Sequence, residues 1–163
     1  RFFPEMDDDE ARRGAMPDAA LKILEFLHRR VAIEDIVTAV HQALERAPKL
    51  GFDRYIISAP TPFQEGDAHR VASDLPALVK EKAPELAGAF KSAGWPLPQG
   101  LDRVYDSHKA QQGLGWAPTC SAQAALERYL DTGDWRGPLA LAVGKKPYHD
   151  QTFENGPFPV EAD

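Results

Sequence analysis

Apolar residues along this chain recur mainly at helical spacing, and three short runs interrupt that rhythm. Leu21, Ile23, Leu24 and Leu27 predict a first helix from about Asp18 to Leu27, with Asp18 as its cap. Ile33, Ile36, Val37, Val40 and Leu44 form another, cleaner stripe. Glu34 and Asp35 open it, where negative charge complements the helix dipole, and Pro48 and Gly51 are expected to end it. From Asp67 to Gly94 the pattern is helical with breaks. Asp74 precedes Leu75-Pro76, Pro84 suits a first helical turn, and Leu86, Phe90 and Ala93 share a face before Gly94. Asp106 or Ser107 is expected to cap a helix to Leu114, and Ser121 another to Leu130.

The interrupting runs read as strands. They are Arg30-Val31-Ala32-Ile33, Tyr55-Ile56-Ile57-Ser58-Ala59 and Arg103-Val104-Tyr105. The middle run is apolar and stopped by Pro60 and Pro62, the pattern of a buried strand. The expected fold is therefore α/β, helix-rich with a few short strands, in a single unit covering residues 1–163. Glu5 to Glu10 holds five acids and reads as a solvated loop. Periodic signals thin out after Gly133, and the end from Thr152 is expected to be loose.

Composition narrows the class of protein. At 163 residues the chain has the size of one ordinary domain. Its 14 prolines and 12 glycines favour many short elements over a few long ones. A net charge of −6 argues against nucleic-acid binding, which needs clustered Lys and Arg to displace counterions. No apolar run approaches the ~20 residues of a membrane span. The single Cys120 cannot form an intrachain disulfide, which suits a cytoplasmic protein. The opening Arg1-Phe2-Phe3-Pro4, without an initiating Met or signal-peptide anatomy, is expected of a fragment or a processed chain.

Four blocks then stand in an informative order: Arg1-Phe2-Phe3-Pro4, Arg30-Val31-Ala32-Ile33-Glu34-Asp35, Tyr55-Ile56-Ile57, and Asp106-Ser107-His108-Lys109-Ala110 followed by Leu114-Gly115-Trp116-Ala117-Pro118. In this order they resemble the C-terminal portion of the extended short-chain dehydrogenase/reductase family, the NAD-dependent epimerases and dehydratases of nucleotide sugars. The Arg1–Pro4 block is similar to the family's Arg-Tyr-Phe-Asn-Pro, with Pro4 in place of the sugar-holding Asn. The Arg30–Asp35 block resembles its strand-to-helix block, with His28 where the family's phosphate-binding Arg falls and Arg29 and Arg30 displaced from it. Arg103 lies closer to the Lys-Ala phrase than the family's own upstream Arg.

The resemblance implies a C-terminal substrate-binding lobe together with the last strand and helix of a dinucleotide-binding sheet. The dinucleotide-binding half itself has no counterpart in this sequence. It also implies a nucleotide-sugar-like substrate contacted by Phe3, Pro4, Leu21, Arg29, Arg30 and Arg103. NAD or NADP would belong to the parent enzyme, with none held tightly by this chain, and no catalytic residue or metal ligand is assigned to it. The partner would be the missing half. An alternative reading is a non-catalytic binding or assembly module, in which a homo-oligomer covers the exposed strand.

Several patterns imitate active sites. Tyr105 and Lys109 have the Tyr-x-x-x-Lys spacing that puts a cation beside a phenol on one helix face, where it favours the phenolate. A helix cap at Asp106 or Ser107 would leave Tyr105 outside that helix, so the spacing reads as coincidence. Gly113-Leu114-Gly115 lacks the third glycine of a dinucleotide loop and reads as a helix end. Gly144-Lys145-Lys146 lacks the rest of a phosphate loop. His28, His41, His69, His108 and His149 have no metal-site spacing, and His41 is expected to be half-buried and hydrogen-bonded. Trp95, Trp116 and Trp135 adjoin Gly or Pro breaks and are expected to pack over loops.

Overall fold

The computed structural model describes residues 16–144, and these fold as helices and connecting loops around one main core. The helices are α1 (Asp18–Phe26), α2 (Ile33–Leu50), α3 (Ala68–Ser73), α4 (Leu75–Lys82), α5 (Pro84–Ala93), α6 (His108–Leu114), α7 (Ala122–Thr132) and α8 (Pro138–Val143), with a 3-10 turn at Glu65–Asp67. Helix α1 lies at the centre. Ala20, Ile23 and Leu24 are fully buried and Leu21 is 1% exposed, so the helix is covered nearly all round. Contacts with α7 cover one side, while α3, α4 and α5 complete the main core through Val71, Leu75, Leu78, Leu86 and Phe90. Trp95 packs edge-on to Phe90 and tilted on Tyr129, closing the α5–α7 side.

The helix ends follow local chemistry, with three adjustments. Pro17, not Asp18, occupies the cap position of α1, and Asp18 becomes a first-turn acid beside Lys22 at 4.0 Å. Helix α2 runs through Pro48 to Leu50 before Gly51 closes it, so the proline shortens the hydrogen-bond ladder without ending the helix. At α6 the Ser107 side chain makes no cap bond, and Asp106 Oδ1 accepts the His108 N–H instead at 2.8 Å. Ser121 caps α7 as expected, accepting from the Ala124 N–H at 3.1 Å. Helix α8 lies in the region where periodic signals thin out.

The expected α/β fold is overturned. Among the described residues there is no strand, and the three runs read as strands are extended or helical segments without a ladder. Ile33 is the first residue of α2. Segment 54–59 is in neither helix nor strand, and its backbone-to-backbone bonding among the described residues is confined to the Ala59 N–H donating to the Arg30 carbonyl at 2.9 Å. The Tyr105 N–H donates to the His28 carbonyl at 2.6 Å. A strand exists only where successive backbone groups find a parallel or antiparallel neighbour, and single cross-links do not make one. The expected burial of the middle run holds at its end, where Ser58 and Ala59 are buried, and fails at Ile56, which is 50% exposed.

A smaller apolar cluster stands apart from the main core. Ala39, Ala110, Leu114 and Trp116 form it, with Ala43, Tyr55 and Ile57 packed alongside. Helix α2 contributes its small-residue face here, against α6, and meets α8 at its first turn, where Glu34 Oε1 accepts from the Leu139 N–H at 2.9 Å.

Candidate functional site

The end of α1 builds a buried charged corner. Glu25 is 1% exposed and accepts from Arg29 Nη2 at 2.9 Å and from Arg30 Nε at 2.7 Å. Burial alone would push this carboxyl up; the two guanidiniums, Arg30 foremost, override it and hold it below the usual carboxylate range. Arg30 also lies over the Trp135 ring at 5.5 Å. Beside them, His28 is buried, and its Nδ1 lies 3.1 Å from the Arg103 carbonyl oxygen. A carbonyl can only accept, so Nδ1 carries the proton. Desolvation, with help from the Arg29 charge, lowers the His28 pKa to about 4, which keeps the ring neutral.

His28 therefore pins the 103–105 segment twice, through its ring and through its carbonyl. Ser58 adds a third tie by donating to the Tyr105 carbonyl at 3.0 Å. Upstream, the Leu101 N–H donates to the Val71 carbonyl at 2.8 Å and the Leu75 N–H to the Gln99 carbonyl at 2.9 Å. Gly100 is required at this seam, because a Cβ there would stand 2.0 Å from the Ala72 carbonyl oxygen. These bonds hold segment 99–106 against α3 and form the wall of an open cavity.

That cavity, of about 560 Å³, is the candidate site. Its size is that of a small-molecule pocket. Phe63, Val71, Leu101 and Val104 supply apolar walls, Glu65, Asp102, Arg103 and Asp106 carry the charge, and His108 adds an imidazole. Arg103 Nε donates to Asp102 Oδ2 at 2.7 Å. Partial burial works to raise Asp102, but the Arg103 bond and charge prevail and lower it. Asp106 is lowered mainly by the backbone N–H of His108, whose ring nitrogen also lies 2.6 Å from Oδ1. Another cavity of about 460 Å³ lies across the Pro60–Pro62 strap, with Thr61 lining both.

The structure separates the residues expected to contact substrate. Among the described residues of this set, Arg103 alone lines the main cavity. Leu21 belongs to the interior of the main core, and Arg29 and Arg30 are committed to Glu25. Phe3 and Pro4 lie outside the described residues. The cavity walls at Phe63, Val71, Leu101 and Val104 escaped sequence reading because ordinary apolar residues carry no chemical mark. The Pro60-Thr61-Pro62-Phe63 turn was the one available hint.

Other motifs resolve into structure. Tyr105 precedes α6 and Lys109 lies within it. Lys109 Nζ bonds to Asp53 and to the Arg54 carbonyl and sits over the Tyr55 ring, so it anchors segment 53–55. His41 is exposed, at 3.6 Å from Glu45. Trp116 is buried and donates through Nε1 to Thr38 Oγ1 at 3.0 Å. Asp35, 1% exposed, accepts from the Thr119 N–H and hydroxyl, both at 2.8 Å, and from the Cys120 N–H at 2.9 Å. Gly115, at φ +61, makes the left-handed turn that delivers Trp116 to this latch. The acid-initiated helix and the Leu-Gly-Trp phrase are thus two halves of one clamp.

One face remains uncovered. Ile36 is 41% exposed, Val37 53%, Val40 54% and Leu44 70%, all on the outer side of α2. Next to the same helix, segment 54–57 makes no backbone-to-backbone hydrogen bond among the described residues. No described helix is long and apolar enough to cross a membrane. No group of three or more His, Cys, Asp and Glu among the described residues is placed to hold a metal. No family model matches the chain, and neither a curated protein nor a solved structure matches it significantly.

Proposed function

We propose that this chain is the substrate-binding part of an NAD(P)-dependent oxidoreductase of the epimerase/dehydratase kind, acting on a nucleotide sugar or a related carbohydrate and inactive by itself. The observation that carries this reading is the uncovered face. Helix α2 turns its most apolar stripe to solvent beside a strand-like segment that has no backbone ladder. A β-sheet of a dinucleotide-binding half would meet both demands at once, with its face on the stripe and its edge on segment 54–57. The family phrases support the same parent, since Asp35 and Trp116 have defined structural work in the clamp. A cytoplasmic setting fits the buried, unpaired thiol of Cys120.

NAD or NADP would supply hydride transfer from the other half. The described residues offer no strand–turn–helix with a glycine-rich turn to cradle a pyrophosphate. On this chain the cavity beside Phe63 would bind and orient the substrate, with segment 101–106 as its fixed wall.

The test is co-expression with a dinucleotide-binding half from an extended short-chain dehydrogenase/reductase. Co-purification, together with hydrogen-exchange protection of the 55–57 amides gained only in the complex, is the expected result. NAD-dependent turnover by the chain alone would sink the reading. The exposed backbone at 54–57 also favours an alternative, in which another copy of this chain covers the face. Light scattering that finds a concentration-independent dimer with those amides protected would establish that alternative instead.

A further inference from the structure

The charge around the main cavity narrows what it accepts, on the basis of the carbohydrate reading above. Three carboxylates, Glu65, Asp102 and Asp106, face one guanidinium and one imidazole. The guanidinium and the imidazole are each engaged by a neighbouring acid: Arg103 Nη2 lies 2.5 Å from Asp102 Oδ2, and His108 Nδ1 lies 2.6 Å from Asp106 Oδ1. A diphosphate needs surplus positive charge and a guanidinium fork open to it, and a rim with surplus negative charge repels it. The interior favours a different occupant. Phe63, Val71 and Leu101 are nearly buried and present carbon to the cavity. At the rim, the hydrogen bonds made by His108 to Asp106 both fall on Oδ1, and neither uses the acceptor capacity of Oδ2.

We propose that this cavity selects an uncharged glycoside, with an apolar aglycone against Phe63, Val71 and Leu101 and sugar hydroxyls donating to Asp106, and that it discriminates against nucleotide diphosphates. Hydroxyl donation to a carboxylate adds no charge to the site, whereas a diphosphate adds at least two negative charges to three already present.

Saturation-transfer NMR on the full chain tests this with three probes: phenyl β-glucoside, UDP-glucose and inorganic diphosphate. Transfer to the phenyl protons is expected, with at least ~10-fold weaker transfer to UDP-glucose and none detected by phosphorus NMR for diphosphate. Ala72→Trp fills the cavity from an exposed position and is expected to abolish the phenyl signal; Ala68→Trp is the fallback variant should Ala72→Trp fail to fold. Glu65→Lys is expected to strengthen UDP-glucose binding. UDP-glucose bound as well as the glycoside, a phenyl signal indifferent to both Trp variants, or silence from every probe overturns the proposal. Silence from the glycoside together with formation of the two-half complex removes only this ligand class. Failure of the complex with an intact glycoside signal removes only the parent enzyme.

Discussion

Helices α1 and α2 are assembled from similar aliphatic residues and end in opposite surroundings. Leu24 of α1 is fully buried, while Leu44 of α2 is 70% exposed. The difference lies in what each helix has to lean on. Helix α1 is surrounded by α7 and the α3–α5 layer, whereas α2 meets α6 and the loop after it through Asp35, Thr38, Ala39 and Ala43, and meets α8 through Glu34. An apolar stripe thus states a demand for cover, and the remainder of the fold decides whether it is met.

The sharpest test of this contrast is a pair of truncations. Leu24→Ala should cost about 3–5 kcal/mol in chemical denaturation, since it leaves a cavity in a packed core. Leu44→Ala should change the same measurement by less than about 0.5 kcal/mol. Equal costs for the two would show that the outer face of α2 is covered in solution.

Acid should strike the α1 side next. His28 titrates near 6.5 in the unfolded chain and at about 4 when folded, so folding excludes its proton. Stability is full above pH 6.5, falls as pH drops from there to about 4, and the loss levels off below, reaching roughly 3 kcal/mol. Glu25, also held low, deepens the loss at more acidic pH, because its contribution disappears as its carboxylate is protonated. Thermal melts between pH 7 and pH 4 should show a steep decline that His28→Asn flattens. An unchanged slope in that variant would place the acid sensitivity elsewhere.

On the α2 side, the clamp should be the main source of stability. Asp35→Ala strands the Thr119 and Cys120 N–H groups and should cost about 2–3 kcal/mol by urea titration. Trp116→Phe removes the bond to Thr38 together with part of a buried ring and should cost about 1–3 kcal/mol. The smallest effect is expected from Val40→Lys on the chain alone, within about 0.5 kcal/mol. The same change should weaken co-purification with a sheet-bearing partner at least tenfold, and unaltered binding would mean that the partner does not use this face.

Much of the helical layout was legible because its causes are local. Pro84, Gly94 and Ser121 each mark a terminus through the conformations they permit or the bonds they make within one turn. The strands were misread for the complementary reason: Tyr55-Ile56-Ile57 has strand composition, but a strand needs a neighbour contributed from elsewhere. At the candidate site, Arg103 could be picked out by its charge, whereas Phe63, Val71 and Leu101 became visible only when the loop after α5 folded back onto α3.

By itself the sequence determined where helices start and stop, the resemblance carried by its clamp residues, and the charge balance that later defines the cavity rim. Only the tertiary structure decided that Arg29 and Arg30 serve Glu25, that Leu21 is core, and that the best apolar stripe in the chain faces outward. Helix caps and turns are settled within a few bonds of the backbone. Burial and strand formation depend on which distant groups arrive; the bonds of His28 with Arg103 and of Asp35 with Cys120 join residues 75 and 85 apart in the sequence.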